Sequence, residues 1–134
     1  MTATTNQSYY VRDWNEWQIE AVKKILSFQP LTLTSNWDSY GSEPMDQRAI
    51  DAALNLVNYV GFRNVPAPRV IPVSGGGIQL EWVKENRELE VEIHPDGSIA
   101  YLVVYDGKPT GEDEIEPCEV LPQTERLLSW LSTG

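Results

Sequence analysis

The sequence predicts an α+β domain: two N-terminal helices, an antiparallel meander of three or four strands, and a C-terminal helix. Two observations carry that prediction. Apolar residues recur at three- and four-residue steps up to residue 60 and at every second residue from about 69 to 105. Short turn signals then separate the alternating segments, which forces antiparallel neighbours. With 134 residues, 41% of them hydrophobic and 22% charged, the chain suffices for one core-bearing domain. The expected organisation is a frayed segment over 1–10 followed by a single domain over 11–134.

Each element has its own signal. Asp13 and Glu16 read as a capping box for a first helix. Trp14, Trp17, Ala21, Ile25 and Phe28 form its apolar stripe, and Pro30 closes it. A loop over 31–43 follows. The second helix is expected to start at Pro44, capped by Ser42 or Glu43. Its stripe is Ile50, Ala53, Leu54, Val57 and Val60, and Gly61 stops it. Arg69 to Val73 reads as a strand that Pro72 confines to an edge. Ser74-Gly75-Gly76-Gly77 turns the chain. Ile78, Leu80 and Trp82 then alternate with Gln79 and Glu81, and Leu89, Val91 and Ile93 with Glu88, Glu90, Glu92 and His94. Pro95-Asp96-Gly97 is a turn. The segment from Ile99 to Tyr105 is apolar on both faces, as a central strand would be. Residues 108–119 read as an acidic surface loop, and Pro122 as the opening of the final helix.

Composition excludes several kinds of chemistry. One cysteine, Cys118, rules out an intrachain disulfide or a multi-cysteine metal site. His94 is the only histidine, and no nucleophile elbow or protease signature surrounds Ser39, Ser74 or Cys118. The triple glycine after Ser74 lacks the spacing, the lysine and the following helix of a phosphate-binding loop. No catalytic residue and no cofactor is assigned. No apolar run approaches bilayer length, and the N-terminus has no secretory pattern, so a cytoplasmic protein without membrane contact is expected.

The charge is uneven. The formal net charge is −10, and residues 81–119 hold twelve acids against three bases. Such a field repels nucleic-acid phosphates and favours a basic protein partner. The residues expected to meet that partner are Glu88, Glu90 and Glu92, with Glu112, Asp113 and Glu114. Trp37, Asp38 and Tyr40 join them from the aromatic loop Asn36-Trp37-Asp38-Ser39-Tyr40-Gly41. The same loop chemistry also suits a structural corner, with Trp37 locking the helices onto the sheet. The alternative is a metal-dependent hydrolase or metal-binding domain built on Glu81, Glu90, Glu92 and His94. Same-face neighbours on one strand stand about 6.5–7 Å apart, so such a site would need ligands from a second strand. A third possibility is a small-molecule pocket between sheet and helices.

Trp37-Asp38-Ser39-Tyr40-Gly41, Pro44, Pro68 and Pro72, together with Gly77-Ile78-Gln79-Leu80-Glu81-Trp82 and Leu89-Glu90-Val91-Glu92-Ile93, resemble a family of small uncharacterised bacterial proteins. That family carries a W-D-x-Y-G loop followed by an I-x-L-E-W strand. The resemblance spans roughly residues 37–101 and brings no established activity. It implies that loop and strand belong to one design, and it suggests a partner-dependent component such as an antitoxin, immunity protein or inhibitor.

Overall fold

In the computed structural model, which describes residues 16–61 and 64–133, every strand pairs with its neighbour in sequence. The elements are α1 (Glu16–Leu26), α2 (Gln47–Tyr59), β1 (Arg69–Val73), β2 (Gly77–Lys84), β3 (Arg87–Ile93), β4 (Ile99–Tyr105), β5 (Lys108–Ile115) and α3 (Val120–Ser132). Short 3-10 turns precede α2 at Gln29–Leu33 and α3 at Pro117–Glu119. The result is one antiparallel five-stranded meander with helices on one face. The α+β class, the helix–helix–sheet–helix order and the edge position of the Pro72 strand agree with the sequence reading. The expected Asp13 cap, Trp14 and the frayed segment over 1–10 lie outside the described residues.

The core follows from the alternation. Ile78, Leu80 and Trp82 of β2 and Leu89, Val91 and Ile93 of β3 are all buried on the helix side. They meet Trp17, Ala21 and Ile25 of α1, Ala49, Ile50, Ala53, Leu56 and Val57 of α2, and Leu127, Leu128 and Leu131 of α3. Trp17 and Trp82 contact edge to face, ring centroids 5.7 Å apart. Buried apolar area of this kind is the main source of stability.

Side chains from neighbouring elements satisfy the helix ends. Buried Gln18 donates from Nε2 to the carbonyls of Val57 (2.9 Å) and Val60 (3.2 Å), which a helix C-terminus leaves without intrahelical partners. At the end of α3, Lys84 donates to the Ser132 carbonyl (2.6 Å). Arg87 donates to the Trp130 carbonyl and to Thr133 Oγ1, and its guanidinium lies 5.0 Å from the Trp130 ring centroid. Lys84 and Arg87 are thus committed to the helix side of the sheet and do not face the carboxylates of the outer face.

Three boundaries need correction. Residues 108–115 form a fifth strand, not a loop: β5 pairs with β4 from Tyr105–Lys108 to Ile99–Ile115, with a register shift between Val103 and Val104. The second helix begins at Gln47, because Asp46 is its cap and accepts from the Arg48 N–H (2.9 Å), while Met45 is buried. The last helix begins at Val120, before Pro122.

Both sheet edges are blunted. Pro72 interrupts β1, and Pro109 with the irregularity at Val103/Val104 interrupts β5. On β5 the Glu114 N–H is bonded by the Asp113 carboxylate (2.8 Å).

Candidate interaction surface

The face of the sheet turned away from the helices is laid out by pairing register. Moving across the strands, it shows Arg69, Ile71 and Val73 on β1, then Gln79, Glu81 and Val83 on β2. Glu88, Glu90 and Glu92 follow on β3, Ala100, Leu102 and Val104 on β4, and Glu112 and Glu114 on β5. Six glutamates thus share a face with one arginine among the described strand residues. No described helix packs against this side, since the buried helix residues belong to the core on the other.

Its electrostatics are unfavourable to the free protein. Glu81 and Glu90 are directly opposite each other in the β2–β3 ladder, an arrangement that destabilises a sheet. Partial burial pushes the Glu90 carboxyl above its usual range, and the charges of Glu81, Glu88 and Glu92 push it further. Two groups moderate the repulsion. Gln79 donates from Nε2 to Glu81 (2.5 Å) and Glu90 (3.3 Å), and Arg69 reaches Glu81 at 3.4 Å. His94, just past β3, lies between Glu92 (Nδ1, 3.6 Å) and Glu114 (Nε2, 3.5 Å).

The aromatic loop is divided between two roles. Asn36, Ser39 and Gly41 all take positive φ. A dense set of bonds holds that shape: the Asn36 N–H to the Ser42 carbonyl (2.7 Å), the Gly41 N–H to Asn36 Oδ1 (2.6 Å), and the Tyr40 N–H to Asp38 Oδ1 (2.9 Å). The Tyr40 N–H bond holds the Asp38 carboxyl below its usual range against the opposing effect of burial, with lesser help from the Ser74 hydroxyl and the Ser42 N–H. Trp37 is half-buried against the core and donates its indole N–H to the Glu43 carbonyl (2.9 Å). Tyr40 is 89% exposed. The loop also fastens the helical layer to the β1–β2 turn. The Gly75 N–H donates to Ser42 Oγ (2.8 Å), and the Asp46 N–H to the Gly76 carbonyl (3.1 Å). Gly76 has φ +105°, and a Cβ there would come within 3.0 Å of the Pro44 carbonyl oxygen.

The sequence-assigned residues therefore fall into three groups. Glu88, Glu90, Glu92, Glu112 and Glu114 share the open face, and Glu81 joins them. Asp113 points to the opposite side of β5, where its carboxylate serves its own strand. Trp37 and Asp38 build the corner, while Tyr40 alone projects from it. The sequence does not assign Ala100, Leu102 and Val104 to the surface and does not place His94 beside Glu114. The doubly apolar character of 99–105 was the signal for the first omission.

Among the described residues, no group of three or more His, Cys, Asp or Glu side chains is placed to hold a metal ion. Cys118 is a free, exposed thiol. A cavity of about 200 Å³ opens between α2 and the β4–β5 end of the sheet, lined by Ala52, Asn55, Ile99, Ile115, Pro117 and Val120 among others, and no ionisable group lines it. No described helix is long and apolar enough to cross a membrane. Comparison of the chain with protein-family models, with curated proteins and with solved structures finds no match.

Proposed function

We propose that this protein is a non-enzymatic interaction protein that binds a basic protein partner through the open acidic face of its sheet. The observation that carries the reading is the Glu81–Glu90 pair, held face to face at the centre of a surface that also bears Glu88, Glu92, Glu112 and Glu114. Like charges opposed across a ladder cost stability, and a cationic partner would turn that cost into binding free energy and fast association. The two blunted edges favour the face over strand addition as the route of contact. The antitoxin, immunity-protein or inhibitor type fits this design and is the type the family resemblance implies. Tyr40 stands on a hydrogen-bonded corner and supplies a rigid aromatic contact at the end of the same sheet.

The metal-dependent alternative has less support. His94 meets Glu92 and Glu114 through different ring nitrogens, so the three side chains do not converge on one point.

The test is affinity capture from the cells that make the protein, at low and high salt, using the wild type and Glu90→Lys. The reading expects a basic protein, identified by mass, that is retained by the wild type at low salt and lost in the variant. Capture of the same proteins by both forms would sink it.

A further inference from the structure

The open face is banded, and the bands run along the strands. Ala100, Leu102 and Val104 of β4 form an apolar row. Glu88, Glu90 and Glu92 of β3 flank it on one side, and Glu112 and Glu114 of β5 on the other. Ala, Leu and Val side chains are shorter than the glutamates on either side, and Val104 is 9% exposed, so this row is a floor between taller glutamate walls. Adjacent strands lie about 4.8 Å apart, which sets the two acidic rows roughly 10 Å from one another. That separation matches the diameter of an α-helix with its side chains, about 10–12 Å.

We infer that the occupant of this furrow is an amphipathic helix of the partner, lying along β4 with an apolar stripe on the floor and lysine or arginine on both flanks. The inference rests on the basic-partner reading above and specifies the shape of the partner. Along β3 the acids recur about every 6.5–7 Å, close to the roughly 6 Å between helix residues four apart, so one basic side chain per turn meets one glutamate per step. Extended chains are disfavoured, because Pro72, Pro109 and the Asp113–Glu114 bond obstruct the edges where a strand would add. A second copy of this chain would oppose six glutamates with six more. A nucleic acid would oppose them with phosphates.

The test is a titration of the isotope-labelled full chain with two synthetic peptides of identical leucine, alanine and lysine composition. In one the sequence is helically amphipathic; in the other the order is scrambled. The expected result is binding of the amphipathic peptide roughly tenfold tighter than the scrambled one. Chemical-shift changes should be centred on the Ala100, Leu102 and Val104 methyl groups, and the peptide should gain helical circular dichroism. Leu102→Lys should weaken that binding by roughly tenfold, and Leu102→Ala by less, while Leu26→Ser on α1 leaves it unchanged. Equal affinity for both peptides, or shifts centred away from β4, would overturn the helix inference and leave the basic-partner reading standing. Failure of both peptides to bind at low salt would overturn the two together.

Discussion

The two faces of the same five strands solve opposite problems. On β2, Trp82 is 1% exposed and packs edge to face on Trp17, while the next residue, Val83, is 57% exposed. On β3, Leu89, Val91 and Ile93 are fully buried, and the residues between them are Glu88, Glu90 and Glu92. The helix side gains stability from burial. The open side gives some back, because its acids oppose one another at the centre of the sheet. A surface needed only for solubility would gain more from interspersed signs of charge than from six acids against one base. The contrast teaches that the fold is carried by one face, while no described helix covers the other.

The largest expected effect lies on the helix side. Trp82→Ala should cost about 3–5 kcal/mol in denaturant unfolding, and Val83→Ala, one residue on, should change stability by no more than about 0.5 kcal/mol. Comparable losses at the two positions would break the contrast between the faces. The aromatic corner should divide in the same way on a smaller scale. Trp37→Ala is expected to cost about 2 kcal/mol, from lost packing and the lost bond to the Glu43 carbonyl, while Tyr40→Ala stays within about 0.5 kcal/mol. Gly76→Ala should cost about 1–3 kcal/mol, since it strains the positive φ and crowds the Pro44 carbonyl. Thermal melts of these variants check the order.

The smallest effect has the opposite sign. The Glu90 carboxyl has a folded-state pKa above its unfolded one, so its ionised form destabilises the fold. That penalty is absent below the unfolded pKa and fully present above the folded one. Glu90→Gln should therefore raise stability at pH 7 by about 0.5 kcal/mol, the scale of one partly screened cross-strand charge contact. The gain should vanish on acidification through the usual carboxylate range. Asp38, Asp46 and Asp96 run the other way. Their carboxyls are held down by the Tyr40 N–H, by the Arg48 side chain and by the Ser98 hydroxyl respectively. Their contribution is present above the ordinary range and is lost as pH falls through their lowered folded values. Paired melts of wild type and Glu90→Gln across pH measure the difference.

The legible parts of the fold were those whose signal is local. Alternation on β2 and β3 named both faces, and Pro72 named an edge. β5 was not legible because Lys108-Pro109-Thr110-Gly111-Glu112-Asp113-Glu114 has almost no strand-favouring residue, and only Ile115 is buried. Its partner β4, apolar on both sides, supplies the pairing. The start of α2 depended on Met45 being drawn into the core, which moved the cap from Ser42 or Glu43 to Asp46. For the surface, the acidic residues were visible in sequence but their banding was not. Rows become apparent only when the register sets Leu102 between Glu90 and Glu112. The fates of Trp37 and Tyr40 were equally hidden, since both are loop aromatics and only tertiary contact separates them.

The central claim is tested most directly by Glu88→Gln, Glu90→Gln and Glu92→Gln combined in one chain, with thermal unfolding and affinity for the captured basic partner measured on the same sample. The open-face account predicts an unchanged or higher melting temperature together with loss of the partner. A variant that melts several degrees lower, or that keeps its partner at wild-type affinity, would contradict it.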